Sequence, residues 1–155
     1  MPNINYPNNP SQGDSATYSN GNYVVWDGFS WRAPDPTPEY GSFGLTIDAG
    51  TQIIGTGSKG YVTMPYSGTI DNWDMVSNTV GSIQIDLRKS PFATFPTTTS
   101  VTNNNYIGMT NSQKSTDITL SGWGLTFSEN DIYEFYVISS ATMSRANIII
   151  KTIKY

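Results

Sequence analysis

Short runs in which apolar and polar residues alternate recur along most of the chain. The clearest is Ser82–Arg88, where Ile83, Ile85 and Leu87 alternate with Gln84, Asp86 and Arg88. A period of two puts the first set on one face of a strand and the second on the other, so this is a half-buried strand with the polar set turned to solvent. Leu45–Ile47, Tyr61–Met64, Thr69–Val76, Asp117–Leu120, Tyr133–Ile138 and Arg145–Ile153 are further strand candidates. Clusters of Gly, Asn and Ser such as Thr102-Asn103-Asn104-Asn105 separate them. About seven or eight strands punctuated by turns predict an all-β protein, a β-sandwich of jelly-roll-like type.

The run Arg145–Ile153 departs from simple alternation. Ala146, Ile148 and Ile150 share one face, while Ile149 and Ile153 fall on the other. A sandwich covers only one face of each strand, so Ile149 and Ile153 need a second cover. Either the N-terminal segment supplies it or a neighbouring subunit does, which makes these two residues candidates for a subunit interface.

The texture changes near the N-terminus. Residues 1–40 hold six of the nine prolines, with many Asn, Gly and Ser. We place a boundary near residues 33–44, with an N-terminal segment over 1–43 and a sandwich domain over 44–155. The Pro-rich connection APDPTPEYG favours an extended polyproline neck. Within the segment, Asn20-Gly21 and Asp27-Gly28 are tight-turn dipeptides that flank aromatic residues, the pattern of a β-hairpin.

Composition narrows the function. The chain has 155 residues, room for one ordinary domain and a short extra element. With 8 basic and 12 acidic residues its net charge is −4, which lacks the positive field that nucleic acid or an anionic membrane requires. No apolar run approaches a membrane span, and the first residues lack the pattern of a signal peptide, so synthesis in the cytosol is expected. There is no Cys and no His. This removes disulfides, thiol nucleophiles and the commonest general base and metal ligand. Neither a cofactor nor a metal is expected, and the chain reads as a non-enzyme.

Several residues have chemistry that a site could use. Gly55, Gly57 and Gly60 have the spacing of a dinucleotide-binding loop, but a strand-forming run, Tyr61–Met64, follows where a helix is required, so they read as a turn. Lys59 within it reads as a solvated tip. The carboxylate pairs Asp71/Asp74 and Glu129/Asp131 read as turn residues rather than as an acid and base across a cleft. Ser58 and Ser82 have no His to activate them. The aromatics Tyr61, Tyr66, Trp73, Phe92, Phe95, Tyr106 and Trp123 are either core or platforms for sugar rings. Tyr106 is the best exposed candidate, because it lies in the long polar stretch TTTSVTNNNYIGMTNSQKS, read as a loop.

Two segments resemble known families. Residues 6–32, with Tyr6, Pro7, Pro10, Gly13-Asp14, Asn20-Gly21, Trp26-Asp27-Gly28 and Trp31, resemble a short module near the N-termini of bacteriophage fibre and other virion-surface proteins. From Leu45 to Lys154 the chain resembles a domain of tailed-phage structural proteins. The carriers are Gly57-x-Lys59-Gly60, Pro65, Gly81-Ser82-Ile83-x-Ile85-Asp86, Lys89-x-x-Phe92-Ala93-x-Phe95-Pro96, Leu120-x-Gly122-Trp123 and Asp131. Ala49, Arg88 and Asn130 depart from that pattern. The resemblance implies a homotrimeric protein of the virion surface, a head fibre, capsid decoration or tail fibre, made in the cytoplasm of the host bacterium. Tyr6, Trp26 and Trp31 would attach it to the capsid or another virion protein. The alternative is an adhesin for host-surface or mucus glycans, with Tyr106, Tyr66 and Trp73 as contacts.

Overall fold

The computed structural model describes residues 6–34 and 38–155, so part of the Pro-rich neck, residues 35–37, lies outside the described residues. The chain forms two compact units, Met1–Thr37 and Pro38–Tyr155. In the first, β1 (Ser15–Thr17), β2 (Tyr23–Trp26) and β3 (Trp31–Arg32) make a three-stranded antiparallel sheet. Both sequence-predicted turns close it. Gly21 and Gly28 adopt left-handed φ values of 88° and 102° that suit glycine. Asp27 Oδ1 accepts from the N–H groups of Phe29 (2.8 Å) and Ser30 (2.7 Å). Only Ala16 and Val24 are buried apolar residues among those described in this unit.

The second unit is an all-β sandwich made by curling one eight-stranded antiparallel sheet. Its strands are β4 (Glu39–Asp48), β5 (Gly57–Thr63), β6 (Gly68–Ser90), β7 (Thr99–Ser100), β8 (Ile107–Asp117), β9 (Thr126–Phe127), β10 (Ile132–Ala141) and β11 (Arg145–Lys154). The order is β4-β11-β6-β10-β5, with β7, β8 and β9 also on β6. The strand β4 begins at Glu39, and Phe43 is in the core, so residues 39–43 belong to the sandwich and not to the N-terminal segment. Strand β4 contains two glycines, Gly41 and Gly44. They are required here: a Cβ on Gly41 would collide with the Tyr66 phenol, and one on Gly44 with the Ile148 carbonyl.

The predicted strands Thr69–Val76 and Ser82–Arg88 are two halves of one strand, the 23-residue β6. Residues 68–77 pair with β11, and residues 82–90 pair with β10. Between them the register with β8 shifts from Val76 to Gly81. Thr79 Oγ1 donates to the Thr142 carbonyl (3.3 Å) and Thr142 Oγ1 to the Val80 carbonyl (2.9 Å), which tether this crossing to the turn after β10. The inward residues of both halves, Trp73 and Met75 with Ile83, Ile85 and Leu87, meet Ile148, Ile150, Phe135 and Val137 in a single hydrophobic cluster.

Most of β8 falls in the stretch read as a loop, and of the strand expected over Asp117–Leu120 only Asp117, the last residue of β8, is strand. Only Ile107 and Met109 of β8 are buried. Its remaining side chains are polar, and pairing with the β6 backbone, not an apolar face, makes it a strand. Asp86 is also unlike the expectation. It belongs to the polar set of Ser82–Arg88, yet it is 4% exposed. The segment after β6 folds back over it, and Ser100 Oγ (2.6 Å), Thr102 Oγ1 (2.7 Å) and Arg88 Nε (2.8 Å) all donate to its carboxylate. Asp86→Ala orphans these donors and should cost about 2–4 kcal/mol. The check is a lower urea midpoint with an unchanged m-value.

Candidate functional site

The three nominated glycan contacts do not converge on one surface. Trp73 is 3% exposed and part of the core, with an indole N–H that has no partner among the described residues. It therefore offers no exposed ring face to a sugar. Alternation along β6 puts it on the same face as Met75. Tyr66 is half-buried: its hydroxyl lies 2.9 Å from Thr152 Oγ1, its ring tilts on Phe127 at 5.8 Å, and the Lys154 ammonium sits 4.8 Å over its face. These contacts fix the end of β11. Tyr106, at the entrance to β8, is half-buried and donates to Asn104 Oδ1 (2.9 Å). Next to it, the Asn105 carbonyl accepts from Trp123 Nε1 (2.7 Å), which anchors the buried Trp123.

In the N-terminal unit the three nominated residues do meet. Trp31 lies between Tyr6 (5.2 Å between ring centroids) and Trp26 (5.5 Å). A recess of about 360 Å³ runs beside Trp26, bounded by Gln12, Gly13, Asp27 and Arg32. Asp27 and Arg32 form an ion pair at its rim. The backbone N–H groups of Ser30 and Phe29 hold the Asp27 carboxyl below its ordinary range. Tyr23 (47%) and Phe29 (89%) are exposed aromatics on a unit with almost no core of its own.

A second surface is the outer face of β4, β11 and the first half of β6. Ala146, Ile148, Ile150 and Thr152 point inward, leaving Ile149 (42% exposed) and the half-buried Ile153 outside. Ile153 is paired with Tyr40, which is 69% exposed, and Asn147 with Val76, 52% exposed. Gly44, opposite Ile149, keeps the centre flat. Lys151 crosses the row to Asp74 (2.6 Å). A shallow groove of about 360 Å³ lies between Tyr40, Ser42, Ile149 and Lys151. Strand β4 stands at the end of the sheet order with one edge unpaired among the described residues.

The other sequence candidates have structural partners. Asp71 and Asp74 lie within β6, not in a turn. Asp131 is buried, accepts from the Ser128 N–H (2.9 Å) and pairs with Lys89 (3.3 Å). Lys59 directs its ammonium to the Thr56 carbonyl (3.2 Å). Among the described residues no three His, Cys, Asp or Glu side chains converge as metal ligands would. No family model, no curated protein and no solved structure matches this chain.

Two outcomes follow. Trp73→Ala should lose about 3–5 kcal/mol of stability, whereas Tyr106→Ala should lose about 1 kcal/mol, both read by chemical denaturation. Besides Asp27, three carboxyls of the sandwich are held below their ordinary range: Asp48 by the Gly50 N–H and Arg145, Asp74 by Lys151 and Thr116, and Asp117 by the Thr119 hydroxyl and N–H. A depressed folded-state pKa stabilises the fold above the unfolded carboxyl value of about 3.9, and that contribution is lost as pH falls through the folded values. Carboxyl-carbon NMR titration should find all three protonating below about pH 3.9.

Proposed function

We propose that this chain is a non-enzymatic structural protein of a tailed-phage particle surface, a short homotrimeric head fibre or capsid decoration. Its N-terminal hairpin unit docks on another particle protein through Tyr6, Trp26 and Trp31, and the sandwich projects outward. Three things support the reading: the two motif resemblances, the absence of His and Cys, and the exposed aromatics of a hairpin that has little core of its own.

The observation that carries it is the apolar row of Tyr40, Ile153 and Ile149 beside β4, whose second edge has no ladder partner among the described residues. Unpaired edges and outward apolar rows are what a soluble monomer suppresses. Copies of the chain arranged about an axis would cover both, and a trimer is the state that the resemblance implies. A glycan-binding role for the same protein is favoured by a different feature, an exposed corner formed by Tyr61 and Phe95.

Sedimentation of the full-length chain should give three times the protomer mass. Ile149→Asp should shift it to monomer with a thermal midpoint lowered by only a few degrees, since Ile149 lies outside the core. A wild-type chain that sediments as a monomer at all accessible concentrations overturns the proposal.

A further inference from the structure

The outer face of the other half of the sheet is built differently. Register aligns Tyr61 on β5, Glu134 on β10, Arg88 on β6 and Ser100 on β7 in one row across four strands. Ser58, Tyr136 and Asp86 form the next row. Both rows stand opposite the core positions Phe135 and Leu87. The segment after β6 then brings Phe95 edge-on to Tyr61, with centroids 5.1 Å apart and planes at 90°. Tyr61 is 50% exposed and Phe95 40% exposed, so the two rings make an open right-angled corner.

Glu134 forms the floor of this corner and is 6% exposed. It has no cationic partner among the described residues. Arg88, its neighbour across the strand, turns instead to Asp86 (2.8 Å) and lies 3.8 Å over the Tyr136 ring. An ionised carboxylate offers about four acceptor positions. Here Thr98 Oγ1 fills one at 2.6 Å, and the Tyr61 hydroxyl reaches another only at 3.5 Å. Ser58 Oγ adds a further hydroxyl 3.2 Å from that of Tyr61. Two half-exposed rings thus adjoin an under-satisfied buried carboxylate and two adaptable hydroxyls.

We propose that this corner is a saccharide-binding site, which gives a location and a ligand class to the glycan-binding reading and rests on it. The apolar face of a pyranose packs on the Tyr61 ring with Phe95 as a side wall. Its hydroxyl groups donate to the open positions of Glu134 and exchange hydrogen bonds with Ser58 and Tyr61. The carboxylate floor selects neutral sugars over uronic or sialic acids, because Arg88, the cation beside it in the row, is engaged with Asp86. The set Tyr66, Trp73 and Tyr106 takes no part.

The test uses the full-length chain on an array of immobilised oligosaccharides, with neutral hexopyranosides, uronic and sialic acid conjugates, and choline as a separate cationic probe. Binding to a neutral sugar is expected. Tyr61→Ala and Phe95→Ala should each weaken it about tenfold or more with an unchanged thermal midpoint. Tyr61→Phe should retain most of it, Glu134→Gln should weaken it and relax the exclusion of acidic sugars, and Tyr106→Ala should leave it intact. The site is overturned if no neutral sugar is retained, if acidic sugars or choline bind in preference, or if the affinity survives Tyr61→Ala. Sedimentation is read on the same samples. A trimer that retains no sugar overturns this site and leaves the structural reading standing.

Discussion

A strand buried within a sheet must find backbone partners along both edges, and in the larger unit one strand meets this demand for nearly all the others. Strand β6 pairs with β7, β8, β9, β10 and β11. Its two halves lie in different parts of the curled sheet, so the same backbone sets the register of both. The core follows from that continuity. Trp73 and Met75 from one half and Ile83, Ile85 and Leu87 from the other enter one cluster because the chain crosses between them at Ser77–Val80 without breaking. Gly81 is needed where it lands, since a Cβ there would sit 2.6 Å from the Ala141 carbonyl and 2.8 Å from Met143 Cγ.

The crossing also gives the sandwich two outer faces of different chemistry. On one, Tyr40, Ile149 and Ile153 are apolar and flat, broken by the Lys151–Asp74 pair. Such a face suits a protein surface with the same pattern. On the other, Tyr61, Glu134, Arg88 and Asp86 are hydrogen-bonded and partly roofed by Phe95 and Thr98. That face suits a small polar ligand. A projecting structural protein could use the first for assembly and keep the second free, so the two proposed roles do not compete for surface.

The legible part of this fold was the part written in local alternation. Ile83, Ile85 and Leu87, and Ala146, Ile148 and Ile150, declare an inward face at a period of two, and Asn20-Gly21 and Asp27-Gly28 declare turns. The outward position of Ile149 and Ile153 was readable for the same reason. What escaped depends on partners distant in the chain. Strand β8 carries little apolar signal because its order comes from the β6 backbone. Asp86 reads as a solvent residue until Ser100 and Thr102 return to cover it. Trp73 was ambiguous because a Trp in a polar context, DNWDM, fits a platform as well as a core. The corner of Tyr61 and Glu134 joins residues 73 apart in sequence. The aromatics were visible as a class, but only register, with the fold-back of the segment after β6, could choose Tyr61 and Phe95 from among them.

The position of β11 between β4 and β6 has a temporal consequence. Strand β4 has no other strand partner in the sheet order, and it meets β11 through pairs such as Asn147 with Thr46, 101 residues apart. At ribosomal speeds β4 waits on the order of ten seconds before its complement is synthesised. During that interval the nascent chain displays β4 and the β11-facing edge of the first half of β6 without their partner. Contacts of this span close slowly as well, because loop entropy opposes them. The opening vacated for β11 is therefore the place where a chaperone, or the late strand of a sister chain on the same polysome, would intervene first.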